Sequence, residues 1–189
     1  GVTPIVRVPG VLDWSCKWVL DQGVRGVVFP FVNSVEEARQ AISACKYPPT
    51  GHRGYFPDLA ATRWGEPTES YPDRADAQIA VILQIETRAA VEQIDEIAAL
   101  DGWDVLFIGP MDLSASYNKL GQADDPEVAG AIDRVRETAI DAGGQAGILA
   151  VSPEQVRRRA DEGFRFIALN PDTGIIGSAI NDYAEGVRG

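Results

Sequence analysis

Short apolar runs rich in β-branched residues alternate along the chain with longer stretches whose apolar positions recur every three or four residues. The short runs predict six strands, at residues 4–8, 26–31, 80–85, 105–108, 145–149 and 164–169. The longer stretches predict helices at residues 12–22, 34–45, 89–100, 126–142 and 153–162. Strands that alternate with helices in this way imply a parallel sheet, which belongs either to a doubly wound fold or to a barrel.

Polar residues follow the predicted strands at their C-terminal ends, at Arg7, Gln84, Glu86 and Asp112. This is the face on which the active sites of (β/α)₈ barrels assemble. The sequence has no Gly-x-Gly-x-x-Gly motif and no Gly-Lys-Ser/Thr loop, so neither common nucleotide-binding motif is indicated. We therefore predict an α/β protein with a TIM (β/α)₈ barrel fold.

The number of βα units falls short of a closed barrel. We count six units where eight are needed, and the chain opens directly on a strand. We expect a single domain over residues 1–189 that forms the C-terminal six units and lacks the first two. Residues 51–78 contain no clear strand and at most a short helix at 59–63, and a connection of this length usually serves a site or a subunit contact.

Composition narrows the class of protein. The 189 residues include 45% hydrophobic residues, which suits one globular domain, and no apolar run approaches the length of a membrane span. The formal net charge of −11 disfavours nucleic acid and anionic membrane surfaces as partners. Cys16 and Cys45 lie in aliphatic helical stretches and are expected to be buried thiols, so we expect a cytoplasmic protein.

Two carboxylates, Glu86 and Asp112, follow consecutive predicted strands. Neighbouring strands lie about 4.8 Å apart, so both side chains can reach one ion. The chain has one histidine, so carboxylates would have to hold any metal, and such a shell suits Mg²⁺ or Mn²⁺. The same residues are also explained by a solvated glutamate at the start of a helix and an aspartate that caps a helix.

Two segments carry a resemblance to a known family: Ile-Leu-Gln-Ile-Glu-Thr at residues 82–87 and Phe-Ile-Gly-Pro-Met-Asp-Leu-Ser at 107–114. They resemble the HpcH/HpaI class II aldolases, which include 4-hydroxy-2-oxoheptanedioate and 2-dehydro-3-deoxyglucarate aldolases of the pyruvate/phosphoenolpyruvate barrel superfamily. Further matches occur at Gly51-His52-Arg53-Gly54 and Arg63-Trp64-Gly65. The similarity extends over essentially the whole chain.

The resemblance implies a metal-dependent carbon–carbon lyase. It would cleave a 4-hydroxy-2-oxo acid to pyruvate and an aldehyde through a metal-stabilised enolate. Glu86 and Asp112 would bind the divalent cation, Mg²⁺ or Mn²⁺, with Co²⁺ and Zn²⁺ as alternatives. The oxo acid would be held by the side chain of Gln84 and by the backbone around Gly109, Pro110, Met111 and Asp112.

Two further residues receive catalytic roles from the resemblance. Arg7 would contact the oxygen that becomes negative in the enolate, although a strand-end salt bridge explains it equally well. Asp21 would support the basicity of a histidine that belongs to the two absent units, and its other interpretation is an acid on a helix surface. The three lysines lie in helical or loop stretches, which disfavours a Schiff-base mechanism.

Two other functions remain open. A lyase of CoA thioesters such as malyl-CoA or citryl-CoA is disfavoured by the acidic balance, and a catalytically silent barrel fragment is supported by the absent units. If the chain starts at Gly1, we expect little activity with hydroxy-oxo acids, whereas oxaloacetate decarboxylation needs no base at the aldehyde side. The resemblance also implies a homo-oligomer, a hexamer or trimer of dimers that exchange C-terminal helices.

Overall fold

The computed structural model describes residues 1–11 and 13–188 and contains one six-stranded parallel sheet. All six predicted strands are present, and their ends differ from the predicted ends by at most two residues. Their bounds are β1 Ile5–Arg7, β2 Gly26–Phe29, β3 Ala80–Ile85, β4 Val105–Ile108, β5 Gln145–Ala150 and β6 Phe166–Leu169.

Ten helices lie between and after the strands of this described part. Their bounds are α1 Asp13–Asp21, α2 Val35–Cys45, α3 Pro57–Trp64, α4 Tyr71–Gln78, α5 Arg88–Glu92, α6 Ile94–Ala98, α7 Pro110–Ser116, α8 Pro126–Asp141, α9 Pro153–Asp161 and α10 Asp172–Arg188. The first predicted helix began at residue 12, which lies outside the described residues. Residues 51–78 hold no strand, as predicted, but they form two helices, α3 and α4, rather than one short helix in a long loop.

The prediction of a single helix at residues 89–100 is wrong, because the structure has two helices there, α5 and α6. Gln93 separates α5 from α6 because its backbone leaves the helical region, at φ −105° and ψ 13°. Its side chain accepts from the N–H of Val35 at 3.4 Å and donates to the carbonyl of Asn33 at 3.2 Å. These tertiary hydrogen bonds, which the helical period does not reveal, tie the break to the connection between β2 and α2.

Each strand pairs in parallel with the next strand in sequence, in the order β1-β2-β3-β4-β5-β6. A doubly wound sheet reverses its strand order at a switch point, and these six strands show no reversal. The order is that of successive βα units in a barrel. The described residues form a half-barrel with β1 and β6 at its edges, and not the closed eight-stranded barrel.

The two faces of the sheet differ in packing. Alternate strand residues such as Val27, Leu83 and Ile148 face the helices and belong to the main hydrophobic core. The residues between them form a smaller inner cluster of Val28, Ile82, Val105 and Phe107. The C-terminal continuation of this inner face is where Gln84 and Glu86 lie.

Both cysteines are buried free thiols, as predicted, with 3.5 Å between the sulfur of Cys16 on α1 and that of Cys45 on α2. Within the described residues, no helix is both long enough and apolar enough to cross a lipid bilayer.

Candidate active site

A cavity of about 270 Å³ opens at the C-terminal ends of the strands. Six of the residues that line it were predicted as site residues from the sequence, and the others are apolar. The lining consists of Arg7, Gln84, Gly109, Pro110, Met111 and Asp112, together with Phe107, Leu149 and Ala168. The fold therefore brings residues from five of its six strands and from the first turn of α7 to one place.

Glu86 lies directly behind this cavity and is fully buried. One carboxylate oxygen accepts from the backbone N–H of Phe31 at 2.8 Å, and the other accepts from the side-chain amide of Gln84 at 2.6 Å. Burial raises the pKa of Glu86 above its ordinary value, and the charge of Asp112 raises it further. The Phe31 hydrogen bond and the charge of Arg7 act in the opposite direction.

Gly109 makes room for this carboxylate. A Cβ at Gly109 would collide with the Glu86 carboxylate and lie 3.0 Å from the amide nitrogen of Gln84. The φ of Gly109 is −95°, which any residue adopts, so close approach and not backbone conformation requires a glycine.

The backbone N–H groups at this turn differ in whether they already donate a hydrogen bond within the protein. The N–H of Gly109 donates to the carbonyl of Ile85 at 3.3 Å, and Pro110 has no N–H. Pro110 is the first residue of α7, so the N–H groups of Met111 and Asp112 lie in the first turn, where a helix offers them no partner. The amides that remain for a ligand are therefore those of Met111 and Asp112.

The donor set fits a divalent cation. Among the ion pairs of the described residues, none involves Glu86, so its buried carboxylate is left without a compensating charge in contact. The Oε1 atom of Gln84 is buried without a hydrogen-bond partner, and Asp112 is exposed to the cavity from the next strand end. Over the same residues, no group of three or more His, Cys, Asp or Glu side chains is assembled, so water and substrate oxygens would complete the shell.

Asp21 lies elsewhere. It is the last residue of α1, and the chain next enters β2 at its N-terminal end, whereas Arg7 lies at the C-terminal end of β1. A nine-residue helix is about 13 Å long, so α1 carries Asp21 away from the cavity. Asp21 is buried and binds two cations, Arg53 at 2.9 Å and Lys17.

Arg53 is the centre of a second buried polar cluster. Its side chain is fully buried, with the guanidinium 4.5 Å from the ring centroid of Tyr47 and 6.0 Å from that of Tyr71. Burial raises the pKa of Tyr47 above its ordinary range, and the positive charge of Arg53 opposes this shift. Residues 51–78 thus pack onto α1 through Arg53, and none of them is among the residues lining the strand-end cavity.

Sequence reasoning missed four residues at the site. Phe107, Leu149 and Ala168 line the cavity, and the two-residue period of the strands could have placed them on the same face as Gln84. Phe31 holds Glu86 through its backbone, and no side-chain pattern signals that contact.

Comparison with known proteins gives one consistent result. A family model described as HpcH/HpaI aldolase/citrate lyase matches residues 1–179. The chain is 38% identical over 185 residues to a 5-keto-4-deoxy-D-glucarate aldolase from Enterobacter sp. (strain 638). The aligned residues cover 98% of this chain and 72% of that protein. It is 40% identical over 169 residues to a hydroxypyruvate/pyruvate aldolase from Roseovarius nubinhibens, covering 89% of this chain and 66% of that protein.

A solved structure shows the same similarity in three dimensions. The crystal structure of an HpcH/HpaI aldolase/citrate lyase family protein from Burkholderia cenocepacia J2315 superimposes with a TM-score of 0.90 at 34% identity. The superposition covers 99% of this chain and 74% of that one. The chain therefore corresponds to about two thirds to three quarters of the length of these proteins.

Proposed function

The chain belongs to the HpcH/HpaI aldolase/citrate lyase family, and we propose on that basis that it carries the pyruvate-binding part of a divalent-metal-dependent class II aldolase. The reaction is the reversible cleavage of a 4-hydroxy-2-oxo acid to pyruvate and an aldehyde. The observation that carries the proposal is the buried Glu86 carboxylate, which lies against Gly109 at the cavity and contacts no cation of the described chain.

Glu86 and Asp112 are the residues that would hold the cation, Mg²⁺ or Mn²⁺. A bound divalent cation would supply Lewis acidity at the 2-oxo group of the substrate. The side chain of Gln84 donates to Glu86 and so fixes the orientation of this carboxylate. Its Oε1 atom is buried without a hydrogen-bond partner, and as an acceptor it would suit a water molecule better than a substrate carboxylate.

The substrate carboxylate would bind at the first turn of α7, to the N–H groups of Met111 and Asp112. Arg7 lines the same cavity from the end of β1. It would place a permanent positive charge where negative charge develops on the 2-oxo oxygen, and fixed charges of this kind stabilise a transition state without reorganisation.

The remaining lining residues make the other side of the cavity apolar. Phe107, Leu149 and Ala168 would pack against the methyl carbon of pyruvate and exclude water from it. Excluding water strengthens every electrostatic interaction inside the site.

No histidine lines the cavity in the part of the chain that the structure describes. The proton on the aldehyde-side hydroxyl is therefore not assigned to a described residue, and Asp21 would act on it only through a partner that lies beyond this cavity. Decarboxylation of oxaloacetate also yields pyruvate but requires no base at that position. It therefore tests the metal and pyruvate half of the proposal separately.

The decisive experiment measures pyruvate release from oxaloacetate and from a 4-hydroxy-2-oxo acid, with lactate dehydrogenase as the coupling enzyme. We expect oxaloacetate decarboxylation above the rate of free Mn²⁺ or Mg²⁺, with loss of this rate in EDTA and recovery on adding metal. Decarboxylation that persists unchanged in EDTA would refute the metal mechanism. Malyl-CoA serves as a control substrate, since the charge of −11 and the single arginine of the cavity disfavour a CoA thioester.

We also propose that the chain self-associates, with α10 as part of the contact. Its apolar residues Ile175, Ile176, Ile180, Tyr183 and Val187 are each more than half exposed. A helix that leaves such residues uncovered in one copy is a candidate for burial in another. Light scattering after size-exclusion chromatography tests this, and we expect Ile180→Glu to lower the molar mass of the assembly.

A further inference from the structure

Phe31, immediately after Pro30 at the end of β2, has a backbone conformation that is rare for its residue type. Its φ is +50°, in the left-handed region that glycine adopts freely and that other residues avoid. For a residue with a Cβ atom, this conformation costs on the order of 1 to 2 kcal/mol. Something in the surrounding structure has to hold it there.

The peptide groups around Phe31 are held by hydrogen bonds. The N–H of Phe31 donates to Oε1 of Glu86 at 2.8 Å, and the carbonyl of Phe31 accepts from the side-chain amide of Asn33 at 2.7 Å. Asn33 in turn accepts from the hydroxyl of Thr87, the residue after Glu86, at 2.6 Å. The end of β2 is thereby bound to the end of β3 on both sides of the strained residue.

The aromatic ring does not account for this conformation. Half of the Phe31 side chain is exposed, and no ring contact of the described residues involves it. In this backbone conformation, the N–H of Phe31 points at a buried carboxylate 55 positions later in the chain.

We propose that Phe31 is a positioning residue for the metal ligand Glu86, and that its left-handed backbone is the feature that matters. The N–H of Phe31 occupies Oε1, so Oε2 is turned toward Gln84 and Gly109, which both line the cavity. The inference rests on the proposed function, because it assumes that Glu86 binds the cation.

Three substitutions at residue 31 separate the backbone from the side chain. Phe31→Gly keeps the N–H and adopts positive φ without strain, whereas Phe31→Val is β-branched and disfavours positive φ most strongly. Phe31→Ala lies between them. If the backbone is what matters, Mn²⁺ affinity measured by titration calorimetry is equal or tighter for Gly than for Phe, equal for Phe and Ala, and weakest for Val. We expect Val to bind about tenfold more weakly than Phe, because its β-branched side chain adds strain to the conformation that Phe already adopts.

Packing of the ring predicts the opposite order, because valine replaces more of the lost side chain than glycine does. Valine binding as tightly as phenylalanine, or glycine binding more weakly than valine, would therefore overturn the inference. So would a loss of thermal stability in Phe31→Val with no change in Mn²⁺ affinity, since that is the signature of a purely structural role. Should the valine variant fail to fold, the comparison of glycine with alanine decides the same question.

A second measurement keeps this inference apart from the proposed function. In metal-free protein, the amide proton of residue 31 should exchange slowly with solvent in the wild type and in Phe31→Gly, and faster in Phe31→Val. Equal exchange in all three contradicts the positioning role. A wild-type chain that binds no Mn²⁺ but shows the expected exchange pattern would instead refute the metal function and leave the hydrogen bond in place.

Discussion

Two buried carboxylates of this chain, Asp21 and Glu86, have opposite surroundings. Asp21 is 5% exposed and contacts two cations, Arg53 and Lys17. Glu86 is 0% exposed, and within the described residues it accepts hydrogen bonds from two neutral groups, a backbone N–H and a side-chain amide. Burial therefore raises the pKa of Glu86, because no contacting charge stabilises its ionised form.

This difference in surroundings favours a different role for each carboxylate. A carboxylate whose charge is already balanced by two side chains stabilises packing between elements, here between α1 and the connection that leads to α3. A buried carboxylate that no cation contacts has an ionised form that a bound cation would stabilise. The contrast supports the proposal that Glu86 is the ligand at the strand ends, whereas the ion pairs of Asp21 join α1 to the connection that leads to α3.

The largest expected effect is that of removing Arg53. Arg53→Met leaves Asp21 buried with only the half-exposed Lys17, and breaking a buried ion pair costs about 3 to 5 kcal/mol. We expect a loss of that size in the free energy of unfolding, measured by urea denaturation, with Mn²⁺ affinity unchanged. Arg157→Met is the matched control, since it removes an exposed pair with Glu154 and should cost less than about 1 kcal/mol. Loss of metal binding in Arg53→Met would contradict the separation of the Asp21–Arg53 ion pair from the proposed metal site at Glu86.

The next largest effect concerns metal affinity. Glu86→Gln preserves the shape of the side chain but removes its charge and replaces one acceptor oxygen with an NH₂ donor, so we expect Mn²⁺ to bind about a hundredfold more weakly in titration calorimetry. Glu92→Gln, on the exposed surface of α5, should leave affinity unchanged. Equal affinity in Glu86→Gln and the wild type would show that Glu86 is not a ligand.

Adding a methyl group at the site should have a smaller effect. In Gly109→Ala, the new Cβ displaces the Glu86 carboxylate, and we expect a loss of about 1 to 3 kcal/mol in stability and about tenfold weaker Mn²⁺ binding. Gly130→Ala is the control, because nothing lies within 4 Å of its added Cβ and alanine favours the helix α8 by about 0.5 to 1 kcal/mol. If Gly109→Ala bound Mn²⁺ as tightly as the wild type, the Glu86 carboxylate could take another position that still binds the cation.

The smallest expected effect is a pH dependence in metal-free protein. The raised pKa means that the folded state holds the Glu86 proton more tightly than the unfolded chain does. The stability from this proton is present below the ordinary glutamate pKa and is lost as the pH rises through the raised value. Glu86→Gln carries no such proton, so its stability relative to the wild type should rise toward neutral pH. A constant difference between the two from pH 4 to 8, in chemical denaturation, would contradict this.

The strand pattern was predictable because it is local. Six short apolar runs rich in β-branched residues placed the six strands and put Gln84, Glu86 and the lining residue Arg7 at strand ends, and the resemblance added roles for them. The same local signals predicted one helix at residues 89–100, where the break at Gln93 gives two helices. They did not predict α4, because this helix has few apolar residues. It is stabilised by the burial of Tyr71 against Trp64, whose ring centroids lie 5.3 Å apart.

By itself, the sequence determined the alternation of strands and helices and the ends at which polar residues collect, and it predicted a metal site formed by carboxylates. Only the tertiary structure decided which carboxylate is paired and which is free of cations. Asp21 meets Arg53 across 32 positions and Glu86 meets the N–H of Phe31 across 55. Such contacts depend on which elements become neighbours and on the direction of one peptide group. No repeating pattern of residues along the chain reports either of these.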